Sequence, residues 1–170
     1  PALSRDTTAY NFLFAEETGQ HECSEHSETC PLRRFECHPT YDALCHCGTV
    51  QYKVTLSPPL EQQKIIECNC SICSRNGYLL VYPQREHVHV TSGQEALKTY
   101  TFGPKRNLHQ FCGRCGSAVF FDPQWPKQGQ EVDIMGINIR MFKGIRVKDY
   151  QTIQVDEWNS WPFIDSDYLQ

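Results

Sequence analysis

The sequence of 170 residues predicts an antiparallel all-β domain. Three observations carry that expectation. Apolar and polar residues alternate over short runs, Gly and Pro turns interrupt the runs at close intervals, and helical periodicity is almost absent. Val50, Tyr52, Val54 and Leu56 alternate with Gln51, Lys53 and Thr55, the period of a half-buried strand. Ser57-Pro58-Pro59 stops it. Leu60 to Ile66 opens as a helical turn and leads into a cysteine cluster. Gly77 to Tyr82 is a continuous apolar run closed by Pro83, as in a strand buried on both faces. His87 to Thr91 alternates again and turns at Ser92-Gly93, and Ala96 to Phe102 reads as a strand ended by Gly103-Pro104. Gly116 to Phe121 is the next strand. Glu131 to Phe142 is expected as a long one, with Met135, Ile137, Ile139 and Met141 on one face. Asp149 to Val155 is expected as the last. The tail from Asp156 carries Trp158, Trp161, Phe163 and Tyr168, enough aromatic surface to pack back on the sheets.

Length and composition fit a domain with its own core. Hydrophobic residues make up 39% and charged residues 21%, the balance of a folded chain. No apolar run approaches the roughly 18 residues needed to cross a membrane as a helix. Pro1 stands where an initiator Met would be, which points to a processed or trimmed start. Residues 1–40 show little apolar periodicity and read as an N-terminal extension that wraps the domain of residues 41–170. Within it Cys23, Cys30 and Cys37 recur every seven residues, with His21, His26 and His38 nearby, so a further metal or a redox pair is the other reading.

Seven further cysteines fall in three clusters: Cys45-His46-Cys47-Gly48, then Cys68-Asn69-Cys70-Ser71-Ile72-Cys73, then Cys112-Gly113-Arg114-Cys115-Gly116. Disulfides fit poorly, because a C-x-C pair is sterically awkward to bridge. Thiolates this close in sequence converge where zinc rewards them with tetrahedral coordination. That reading places the chain in a reducing compartment, the cytoplasm or nucleus. Cys112 and Cys115 form a knuckle whose glycines permit a tight turn, and Cys45/Cys47 is its natural partner arm. Together they predict one structural Zn²⁺. Cys68, Cys70 and Cys73 remain, the ligand number of a zinc site that keeps a position open. Three thiolates leave that site with net charge −1 and weak Lewis acidity. They suit a sulfur ligand arriving as fourth donor, hence chemistry at a substrate thiol. The rival reading closes the site with a fourth protein ligand such as His46, His109 or a cysteine of the extension.

Arg75, Lys105, Arg106 and Arg114 lie near the cysteines in sequence, as carboxylate-binding groups or as compensation for negative metal sites. His87 and His89 stand two apart on one strand and are expected to be inert surface residues. Asn138, inside an apolar strand, is expected to be a satisfied buried amide. With seven thiolates and two Zn²⁺ the formal charge of −4 becomes −7, which repels phosphate backbones and argues against nucleic acid as a partner.

The three motifs together, with Phe111 before the last and Ser117 after it, resemble the glutathione-dependent formaldehyde-activating enzyme family, which also contains centromere protein V. The resemblance runs from about Tyr41 to Val155. It implies a β-tent fold of small antiparallel sheets stapled by zinc. It also implies a structural zinc on Cys45, Cys47, Cys112 and Cys115, and a catalytic zinc on Cys68, Cys70 and Cys73. The implied activity joins formaldehyde to glutathione to give S-hydroxymethylglutathione, a carbon–sulfur lyase chemistry. The stretch after the third cysteine, Ser74-Arg75-Asn76-Gly77-Tyr78, departs from the basic residue many members carry there. It should line the pocket, with Arg75 and Asn76 as substrate-binding residues. The expected partner is a small-molecule thiol adduct, with no membrane and no nucleic acid, and a homodimer is allowed. The alternative is a non-catalytic zinc-stapled binding module of the centromere protein V type.

Overall fold

A computed structural model describes residues 38–159. The proposals concerning Cys23, Cys30, Cys37, His21 and His26, and the tail aromatics Trp161, Phe163 and Tyr168, lie outside the described residues.

The described residues are all β apart from one short helix and several 3-10 turns. β1 (Thr40–Leu44) and β2 (Gln51–Thr55) form an antiparallel hairpin, with Leu44 opposite Gln51, and β5 (Val88–Ser92) adds to β2. The second sheet has the order β10-β3-β4-β9-β8-β7-β6. Its strands are β3 (Ile65–Cys68), β4 (Leu80–Val81), β6 (Leu97–Tyr100), β7 (Leu108–Cys112), β8 (Ala118–Asp122), β9 (Gly136–Asn138) and β10 (Thr152–Val155). The helix, α1, spans Ser71–Asn76 and ends on left-handed Gly77.

The two sheets share one core. Val50, Tyr52, Val54 and Leu56 are all buried, as their alternation requires, and face Val119, Phe120, Ile137 and Ile139. Tyr52 meets Phe120 edge to face with ring centroids 4.7 Å apart. A lone bridge between Ala43 and Phe142, with Tyr41 stacked on Phe142, seals one side.

Four details differ from the sequence-based expectation. The long strand over Glu131–Phe142 is cut to β9, because Asn138 Oδ1 accepts the Arg140 N–H and turns the chain into a 3-10 segment. β10 runs parallel to β3, the one parallel pair among the described strands. α1 was not anticipated, since six residues are too few for a helical period to register. Trp158 is 53% exposed instead of packing back on the sheets.

Candidate metal centres

The first centre forms where two hairpin tips meet. Residues 45–50 close β1–β2 and residues 112–117 close β7–β8, so the C-x-C and C-x2-C motifs each sit in a tight turn. The Sγ atoms of Cys45, Cys47, Cys112 and Cys115 all lie within 4.8 Å of one another. Cys47 and Cys112, 65 residues apart in sequence, bring their sulfurs to 3.8 Å. Gly116 takes a left-handed φ of 75°, as the turn demands. Gly113 serves differently from the expected turn role: a Cβ there would come within 2.8 Å of the Lys98 side chain and 3.1 Å of Ala96 O.

Polar groups already surround these sulfurs. The Val50 N–H donates to Cys45 Sγ at 3.3 Å, and Thr49 Oγ1 lies 3.2 Å from Cys47 Sγ. Ser117 Oγ lies 3.3 Å from Cys115 Sγ and also accepts the His46 N–H at 3.1 Å, which ties the two tips together. Ser117 and the backbone amides of Ser117 and Cys47 draw the Cys115 thiol down to about 5. Burial pushes Cys45 up to about 11. Four thiols at this separation cannot all ionise without a cation between them, whereas a divalent cation satisfies all four. The donor set fits zinc.

The second centre is built by the β3–α1 junction. Cys68 ends β3, Cys70 precedes the helix and Cys73 lies within it, and their sulfurs also fall within 4.8 Å of one another. Cys70 and Cys73 are buried, and Cys68 is partly exposed. They pack with Tyr78, Leu80 and Phe121 in a small apolar cluster separate from the main core. Contacts from the Cys68 and Cys73 thiols, then the N–H groups of Cys73 and Ile72, hold the Cys70 thiol far below its usual range. Cys70 in turn pushes Cys68 up, and Cys68 and Cys70 together push Cys73 up, so the three thiols do not ionise independently. Among the described residues no His, Asp, Glu or further Cys joins this group. The seven cysteines among the described residues are free of disulfides.

The other expected residues find definite places. His46 is exposed and contributes its backbone, not its ring, to the first centre. His109 is buried on β7 near Cys70 but outside the ligand group, with its ring centroid 5.2 Å from Phe121 and 6.0 Å from Tyr78. Arg75 is exposed on α1, and its Nη1 donates to Ser71 O at 2.8 Å. Asn76 is exposed, and beside it burial pushes the Tyr78 hydroxyl up to about 12 against a smaller opposing pull from the Asn76 side chain. Arg114 reaches Thr49 Oγ1 at 3.4 Å, and Lys105 and Arg106 lie on the surface. His87 and His89 belong to neither centre. Asn138 is the satisfied buried amide expected, donating to Ala118 O at 2.9 Å. Tyr78 is buried against the trio. One feature escaped sequence reading: Asn69 between Cys68 and Cys70 bonds Asp156 at 2.7 Å. The isolated Asn inside the C-x-C was the available signal for it.

Residues 40–147 match the model of a family described as glutathione-dependent formaldehyde-activating enzyme. Among solved structures, the crystal structure of a Rhodobacter sphaeroides protein is similar, with 25% identity and a TM-score of 0.56 over 67% of this chain and 99% of that one. No helix among the described residues is long and apolar enough to cross a membrane.

Proposed function

The chain belongs to the glutathione-dependent formaldehyde-activating enzyme family, and we propose on that premise that it is a zinc-dependent carbon–sulfur lyase. Its substrate would be the adduct of glutathione, or a related thiol, with a small electrophile such as formaldehyde. The balanced reaction joins R–SH and H₂C=O to give R–S–CH₂–OH, or runs in reverse. The observation that carries this reading is the three-cysteine group with no fourth protein donor among the described residues. A site so built leaves room for a sulfur from outside the chain. When bound, zinc supplies a soft cation that keeps a substrate sulfur in its thiolate form.

The chain's own residues have distinct tasks in this reading. Cys68, Cys70 and Cys73 hold the metal, and the Ile72 and Cys73 amides steady the sulfur of Cys70. Tyr78, Leu80 and Phe121 exclude water behind the trio. Arg75 and Asn76, both exposed at the end of α1, face the substrate, with the Arg75 guanidinium offered to a carboxylate of the thiol. Cys45, Cys47, Cys112 and Cys115 hold a second zinc that is structural.

Replacing Cys70 with Ser tests the assignment. The variant should lose activity and one of two zinc ions, counted by native mass spectrometry, while keeping its far-ultraviolet circular dichroism. Unfolding on that change, or two zincs retained, would contradict it.

A further inference from the structure

Asn69, the residue between the first two cysteines of the trio, is held by a segment that lies beyond the family match at residues 40–147. Its backbone N–H donates to Val155 O at 3.1 Å, one step past the parallel β3–β10 ladder. Its side chain is engaged at both ends. Nδ2 donates to Asp156 Oδ1 at 2.7 Å, and Oδ1 accepts the Glu157 N–H at 2.7 Å. Asp156 Oδ1 also accepts the Trp158 N–H at 3.3 Å, which fixes the carboxylate from behind. The ladder beneath is pinned in the same manner, since Glu67 Oε2 accepts from Thr152 Oγ1 at 2.8 Å and from Gln154 Nε2 at 2.7 Å.

We propose that Asn69 and Asp156 form a positioning pair that holds the Cys68–Cys70 loop in the shape that receives the metal, which makes residues 152–158 a working part of the centre. The inference rests on reading the trio as a metal site. The physical reason is geometric. The C-x-C loop itself offers only a 3.4 Å contact from the Cys70 N–H to Cys68 Sγ. Three hydrogen bonds between Asn69 and residues 155–157 fix the peptide between the two cysteines, because it cannot turn without breaking them. Preorganised ligand loops of this kind usually depend on such outer partners. Asp156 is exposed, so removing its carboxylate leaves the core untouched.

The test is a zinc titration of the full chain by chelator competition, with ions counted by native mass spectrometry. The wild-type chain should take two zincs. Asp156→Ala should weaken the zinc that Cys70→Ser abolishes by about tenfold and leave the other unchanged. Asp156→Asn, which keeps an acceptor oxygen for Asn69 Nδ2, should restore most of the loss. Asn69→Ala, which also gives up the bond from the Glu157 N–H, should cost at least as much, and the double variant should be little worse than Asn69→Ala alone. An Asp156→Ala chain that binds this zinc as tightly as wild type overturns the pair while leaving the metal reading intact. Loss of both zincs alike would reduce Asp156 to a general stabiliser and overturn it too. A wild-type chain that takes a single zinc overturns both readings.

Discussion

His109 is 3% exposed, ringed by Tyr78, Phe102 and Phe121, and its Nδ1 has no hydrogen-bond partner among the described residues. Burial pushes its pKa down to about 4, against the opposing pull of Cys70. An unfolded histidine titrates near 6.5. Between those values the unfolded chain binds a proton that the native chain refuses. Stability from this residue is therefore full above about pH 6.5 and drains away as pH falls toward 4. The shift corresponds to at most about 3 kcal/mol. In His109→Phe that proton is missing from both states. The stability difference between wild type and variant, read from urea midpoints at pH 7, 5.5 and 4.5, should move toward the variant by up to that amount. Acid release of metal affects both proteins and cancels in the difference. A pH-independent difference would show that the imidazole is not held neutral.

At the level of elements, Arg85 joins three parts of the chain that local sequence keeps separate. Its Nη atoms reach both oxygens of Asp122 at the end of β8, at 2.7 and 3.1 Å, and its Nε reaches Asp133 at 2.8 Å. Asp122 also accepts the Gln124 N–H at 2.9 Å. Asp122→Ala strands these donors and should cost about 1–2 kcal/mol by denaturant unfolding, with Asp122→Asn costing less. No sequence pattern announced this clamp, because its partners are 37 and 48 residues apart. β2 was legible for the opposite reason: a one-sided strand writes its burial into alternate residues. β9 was misjudged in length because Ile134 to Ile139 are buried throughout, so nothing in hydrophobicity marks where Asn138 breaks the ladder. Parallel pairing of β10 with β3 depends on a contact between distant segments and leaves no local trace. The cysteine groupings were legible down to the residue, since ligand spacing is a short-range constraint. The pocket side is less so, because the placement of Tyr78 beside the trio is a product of folding.

For the molecule as a whole, the two centres should differ in what their metals are worth. The four-cysteine centre ties the tip of the β1–β2 hairpin in one sheet to the tip of the β7–β8 hairpin in the other, across 65 residues of sequence. Closing that loop restricts the unfolded chain, and a structural zinc of this type contributes on the order of 10 kcal/mol, comparable with the whole stability of a small domain. The trio instead links residues close in sequence within one junction, where a metal has little loop to close. It also has one ligand fewer, and Cys68 is partly open to solvent. Graded chelation should therefore remove zinc in two steps. The first step takes the metal of the trio and abolishes thiol binding, while the circular dichroism and the urea midpoint stay nearly as they were. The second takes the metal of the hairpin tips and collapses the packing of Tyr52 on Phe120, with the cooperative transition falling by tens of degrees. Metal counts by mass spectrometry, followed beside near-ultraviolet dichroism, separate the steps. If structure were lost with the first zinc, the trio would be holding the sheets together and could not be the centre left open for a substrate.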